Sequence, residues 1–312
     1  MGERIRRIPL RGIPVGARVA VGSTNDVAPP RALRDLAELL HLPAVGFVIV
    51  AAFLFVRVAD GGRTPGGTLA IDGGQTDAST LVTFLLAVLL TQLSIALHND
   101  WCDRDADALA KPWRWIPRGV LSARAALVVA VLLLASGVTL AALLGPLVAA
   151  LVLLGTLCGW TYNAWLKRTA WSWVPFAVAL PTLAVCSLAV AGRLDGIPYA
   201  LYLLGAPLVL AIHLADSAPD IDGDRTTGSR GLAVALGQRR ALIACWSGAA
   251  AAIVLASLLR PFGLPPGPLV AVSVALLVGA VLVSARSLQA HRYLILASAV
   301  AVAVDYVAAL AG

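Results

Sequence analysis

Long runs of Ala, Leu and Val, each followed by a short stretch rich in Arg, Asp or Gly, set the pattern of this chain from about residue 41 onward. A membrane-spanning helix needs about 20 mostly apolar residues. Nine runs approach or reach that length, near 41–58, 78–98, 122–144, 146–163, 171–192, 197–214, 239–260, 266–285 and 292–311. The runs are continuously apolar, without the alternation of a membrane β-strand, which excludes a β-barrel. The pattern predicts an all-α, polytopic membrane helix bundle of about nine transmembrane helices, with residues 31–312 forming a single integral-membrane domain. Pro181 and Pro207 fall inside predicted spans and predict kinks. Kinked helices suit a bundle around a central chamber, because the freed carbonyls need protein or cavity water as partners.

Composition agrees. Of the 312 residues, 59% are hydrophobic and 13% charged, and the mean hydropathy is +0.86, far too apolar for an ordinary soluble domain. The net charge of +7 invites a nucleic-acid reading. Its placement removes that reading: with the N-terminus cytoplasmic, 20 of the 24 basic residues fall on the inside, and only Arg57, Arg63, Arg193 and Arg260 fall outside. This asymmetry obeys the positive-inside rule and predicts a multi-pass protein whose N-terminus and acidic loops are cytoplasmic, with no nucleic-acid partner. Residues 1–30 carry several Arg with Gly and Pro and no apolar core, so they read as a flexible basic cytosolic tail, or alternatively as a surface anchor drawn to anionic lipid. Cys102, Cys158, Cys186 and Cys245 show no metal-type spacing, and neither a disulfide nor a zinc site is expected.

Candidate chemistry sits where the second and sixth runs end. Asn99, Asp103 and Asp107 recur every four residues, so a continuing helix stacks three oxygen-bearing side chains on one face. Asp216, Asp220 and Asp224 repeat that spacing, although Pro219 and Gly223 interrupt it. Eight of the 17 acidic residues lie in these two short stretches. Like charges at i, i+4 repel, so a countercharge is implied. Clustered hard oxygens suit Mg²⁺, two or more ions of it, held through carboxylates together with the phosphate oxygens of a substrate.

These residues resemble the UbiA superfamily of intramembrane prenyltransferases. Its first motif, an Asn followed by two Asp at intervals of four, is similar to Asn99, Asp103 and Asp107. The family's Arg-Pro-x-x-x-Gly segment with a following Ser looks like Arg114 to Gly119 with Ser122, although Trp115 stands where the family usually has Pro. A Tyr before Lys-Arg matches Tyr162, Lys167 and Arg168. The second aspartate motif with its trailing Gly-Asp-Arg and later Gly matches Asp216, Asp220, Gly223, Asp224, Arg225 and Gly228. The resemblance implies a prenyl diphosphate as donor, a lipophilic or aromatic acceptor within membrane lipid, and catalytic and metal-binding roles for Asn99, Asp103, Asp107, Asp216, Asp220 and Asp224. It implies diphosphate contacts for Arg114, Tyr162, Lys167 and Arg168. On the residues alone, Lys167 and Arg168 also read as positive-inside anchors, and Tyr162 as an interfacial belt residue. Trp101, Trp113, Trp115, Trp160 and Trp165 fall near the motifs and read either as faces that shield a carbocation or as an interfacial girdle. A membrane terpene cyclase of the same superfamily is the alternative activity. A divalent-cation transporter is disfavoured because the acids sit at helix ends instead of along a mid-membrane path, and a scaffold needs neither cluster.

Overall fold

The structure, a computed structural model, describes residues 41–61, 76–194, 199–226, 230–260 and 266–311. The N-terminal tail, Arg63 and Gly228 lie outside the described residues. Among the described residues eleven α-helices run in order: α1 (Leu42–Gly61), α2 (Ala78–Ala110), α3 (Ala123–Leu143), α4 (Pro146–Thr161), α5 (Val174–Val190), α6 (Tyr199–Ser217), the short α7 (Ile221–Thr226) and α8 (Leu232–Leu236), α9 (Gln238–Leu258), α10 (Pro268–Val283) and α11 (Leu288–Ala311). Among the described residues, seven helices are long and apolar enough to cross a membrane, and α5 and α10 are shorter apolar helices. The nine apolar runs of the sequence correspond to these nine helices. The protein is an all-helical, multi-pass membrane bundle.

Local chemistry explains the helix ends. Asp77 caps α2 by accepting from the Thr80 amide at 2.9 Å. The hydroxyl of Ser79, then the amide and hydroxyl of Thr80, hold its carboxyl well below the usual carboxylate range. Ser122 caps α3 through the Ala125 amide. Pro146 opens α4 and Pro268 opens α10, where a missing N–H costs nothing. The largest departure from the expected boundaries is α2, which does not stop at residue 98 but continues as one helix to Ala110. Apolarity ends near Leu97, yet helix formation does not require it, so the first acidic cluster rides on further turns that project beyond the apolar run.

Inside the bundle, helices approach through small residues, the usual solution where lipid removes the hydrophobic drive between helices. Buried alanines such as Ala52, Ala87, Ala130, Ala211, Ala252 and Ala299 recur along the bundle. Gly248 on α9 shows how tight the packing is, because a Cβ there would lie 2.7 Å from the Pro207 carbonyl oxygen of α6. Backbone cannot yield as a side-chain tip can. Gly248→Val is therefore expected to destabilise the bundle by about 1–3 kcal/mol, read as a lower midpoint in thermal unfolding of the detergent-solubilised protein.

Pro181 and Pro207 lie inside α5 and α6, as expected. Near the first, the Thr182 hydroxyl bonds the Val178 carbonyl at 2.7 Å and meets the Tyr202 hydroxyl of α6 at 2.9 Å, a polar link between the two proline-containing helices. Next to it, α1, α5, α6 and α11 enclose an apolar cavity of about 90 Å³. Phe47, Val300 and Val304 separate this chamber from a larger apolar groove of about 490 Å³ between α1, α10 and α11.

Candidate active site

The second half of α2 carries most of the first cluster. Asn99, Asp103 and Asp107 fall on one side of the helix, and a basic side chain answers each of them. Lys167 donates to the Asn99 side-chain oxygen at 2.8 Å and also to the Asp103 carboxylate, with Arg168 3.8 Å from that carboxylate. Asp107, buried, lies 3.7 Å from Lys111. The resulting neutralisation is what lets carboxylates stand one turn apart without repulsion dominating.

A change in helix geometry puts Lys167 there. Where α4 ends, residues Tyr162–Leu166 form a π-turn, and the Lys167 amide bonds the Tyr162 carbonyl at 2.9 Å. Such a turn holds one residue more than an α-turn, so the chain beyond it is rotated by about 100°. The side chain of Asn163 within it donates to the Ile95 carbonyl at 2.9 Å, pinning the turn to α2. Lys167 and Arg168 are thereby both directed at Asp103.

The second cluster lies at the foot of α6. As the Pro219 position predicts, α6 does not run on: Ala218–Asp220 tighten into a 3₁₀ turn, whereas Gly223, expected to interrupt the helix, lies inside α7. Asp216 and Asp220 are exposed and Asp224 half-buried. Asp216 is paired with Arg292 of α11 at 2.6 Å. Tyr162 opens the π-turn that carries Lys167, and the Phe176 ring links it to His213, the Phe176 and His213 ring centroids lying 6.2 Å apart. The Tyr162 ring meets Phe176 edge-on at 4.7 Å, and the hydroxyl of Ser172 lies 2.9 Å from Nε2 of His213, one turn above Asp216.

Arg114 has a different neighbour from the rest. It donates to Asp100 at 2.9 Å, and His41, just before α1, lies 3.0 Å from the same carboxylate oxygen. The Asp100 side chain is only 6% exposed, so this cluster ties the start of α1 and the segment after α2 to the acidic face. The spacing of four passes over Asp100, and only its adjacency to Asn99 signals it. On another side of α2, His98 stacks on Trp160 at 4.0 Å, and a cavity of about 630 Å³ opens, lined by Trp101, Trp160, Trp165, Asp103 and Lys167 among others. Three of the tryptophans near the motifs therefore line this cavity.

Residues 64–301 match the model of the UbiA prenyltransferase family. The chain belongs to the UbiA prenyltransferase family. Within this family it is 34% identical over 206 residues to digeranylgeranylglyceryl phosphate synthase of Natronomonas pharaonis, covering 65% of this chain and 72% of that one. It is 31% identical over 250 residues to the bacteriochlorophyll synthase 33 kDa chain of Cereibacter sphaeroides, covering 77% and 78%. The fold is shared with a UbiA homolog from Archaeoglobus fulgidus bound to GPP and Mg²⁺, at a TM-score of 0.64 and 18% identity over 88% of this chain and 99% of that chain.

The donor chemistry of this UbiA site fits Mg²⁺. Among the described residues, no three His, Cys, Asp or Glu side chains converge as a ready-made metal cage. Mg²⁺ does not need one: it retains water and is held by one or two carboxylates plus substrate phosphates. Each cluster offers hard oxygen ligands of that kind, and the soft donor nearest the first cluster, Cys102, lies against His98.

Proposed function

We propose that this UbiA-family enzyme transfers a prenyl group from an allylic prenyl diphosphate to a lipophilic acceptor, in a Mg²⁺-dependent reaction at the cytoplasmic end of the bundle. The reading is supported by Lys167 held on Asn99 in the first cluster, Arg292 on Asp216 in the second, and the Tyr162, Phe176 and His213 rings between them. Asp103 and Asp107 with Asn99, and Asp216, Asp220 and Asp224, are the residues that would hold Mg²⁺. When bound, the metal neutralises the charge that grows on the departing diphosphate. Lys167 and Arg168 supply preorganised donors to that leaving group, the guanidinium in a fork that suits phosphate. Tyr162 orients the diphosphate through its hydroxyl. Arg114 acts on the diphosphate side through the Asp100 anchor, holding the acidic face against α1.

The tail of the donor would enter the apolar chamber and, for longer isoprenoids, extend past Phe47 towards the groove beside α10. Burial of each methylene contributes about 0.8 kcal/mol, so tail length sets affinity, whereas the polar end sets chemistry. The basic residues on the cytoplasmic side, from Arg104 to Arg292, support the orientation and the membrane assignment of a single integral domain following the N-terminal tail. The glycerophosphate- and chlorin-type names of the relatives favour a bulky lipophilic acceptor over a free small aromatic acid.

Purified protein in nanodiscs, given geranylgeranyl diphosphate, Mg²⁺ and a panel of lipophilic alcohols, is expected to yield prenylated acceptor and free diphosphate by mass spectrometry. EDTA is expected to abolish both. A cyclic hydrocarbon formed without any acceptor would replace transfer by the terpene-cyclase reading.

A further inference from the structure

The chamber and the second acidic cluster are joined by two helical stripes. On α6, Leu201, Gly205, Leu208 and Ile212 line the chamber, and Asp216 stands one turn further along that face. On α11, Ala299, Ala303 and Val307 line the opposite wall, and Arg292 stands two turns before Ala299 on the same face. Arg292 and Asp216 meet at 2.6 Å. The pair therefore lies beyond the end of the chamber that Ile212 and Ala299 line.

Arg292 is also held in place from behind. Its neighbour His291 is fully buried, and the Trp246 indole donates to His291 Nε2 at 3.1 Å. Three residues on, Ile295 is buried with Leu214, Ala215 and Ile221 in the cluster that underlies the second acidic segment. The Ser287 hydroxyl caps the first turn of α11 by accepting from the Ala290 amide at 3.1 Å. The Arg292 backbone is fixed while its side chain remains 38% exposed, a combination that suits a ligand contact. Arg292 lies in none of the sequence motifs and follows Asp216 only after 76 positions.

We infer that Arg292 is a diphosphate-binding residue of this enzyme, the counterpart on the second cluster of Lys167 on the first. The inference rests on the proposed reading of the site. With the tail between the two stripes, the diphosphate emerges between Asp216 and Arg292. When Asp216 turns to a cation, the Arg292 guanidinium loses its carboxylate and takes phosphate oxygens instead, for which its planar fork is matched. No covalent change is involved; the step is an exchange of ionic partners.

Equilibrium binding without acceptor tests this, with labelled geranylgeranyl diphosphate in Mg²⁺-containing detergent, inorganic pyrophosphate as competitor and geranylgeraniol as a tail-only probe. Arg292→Gln is expected to weaken geranylgeranyl diphosphate and pyrophosphate by a similar factor, about tenfold, the size of one charge-assisted contact. Arg292→Lys is expected to lose only about two- to threefold, since charge without the fork is retained. Geranylgeraniol binding stays unchanged, which a role confined to helix packing would not preserve alongside a diphosphate-specific loss. Equal diphosphate affinities in wild type and Arg292→Gln would overturn the inference. A wild-type protein that binds neither diphosphate probe would overturn the reading of the site, and the inference with it.

Discussion

Asp103→Ala is expected to lower kcat/KM for prenyl transfer by about a thousandfold or more, the scale of losing several kcal/mol of transition-state charge stabilisation. Two effects combine. The substitution removes an oxygen donor from the first cluster, and it leaves Lys167 and Arg168, both directed at Asp103, without the carboxylate that fixes them. Their ammonium and guanidinium groups lose the orientation that makes preorganised stabilisation effective. Asp103→Asn separates the two, since it keeps a hydrogen-bond acceptor for Lys167 but removes the charge. Asp105→Ala is the control: its side chain is 88% exposed and pairs only loosely with Arg104 at 3.5 Å, and wild-type turnover is expected. Consumption of labelled prenyl diphosphate in membranes at saturating Mg²⁺ measures all three. Asp103→Ala activity within tenfold of wild type would remove this carboxylate from the chemistry.

The second large effect concerns stability at the opposite end of the bundle. Arg260, after α9, and Asp305 of α11 form an ion pair whose side chains are each 2% exposed, and the Tyr306 hydroxyl donates to the Leu259 carbonyl beside it at 2.9 Å. Two desolvated charges are tolerable only together. Asp305→Ala takes one carboxylate away from a buried guanidinium and is expected to cost about 3–5 kcal/mol, seen as a clear fall in the thermal unfolding midpoint in detergent. A wild-type midpoint for Asp305→Ala would show that water reaches the pair.

Much of this architecture is legible in the sequence because lipid imposes a simple rule: apolar length reports spanning helices. The first acidic cluster is legible for a similar reason, since a spacing of four on a helix is a face. Legibility ends where partners come from elsewhere in the chain. Arg292 belongs to no local pattern, and His41 meets Asp100 across 59 positions. Arg114 lies in a recognisable segment, yet its partner Asp100 is a contact that spacing does not encode. Asp305 reads as an isolated acid in an apolar run until Arg260 is placed beside it by the packing of α9 and α11. The helix ends are also hidden, because α2 continues through polar residues for as long as its backbone hydrogen bonds are met.

The π-turn at Tyr162–Leu166 has a consequence for sequence variation. Because Lys167 reaches the acidic face only through one extra residue in that turn, the stretch from Thr161 to Lys167 carries information in its count as well as in its side chains. Loss of one of the codons between Tyr162 and Lys167 would swing the basic pair round the helix axis by about 100° while leaving Tyr162, Lys167 and Arg168 in the sequence. Insertions and deletions in this short window therefore behave as active-site lesions.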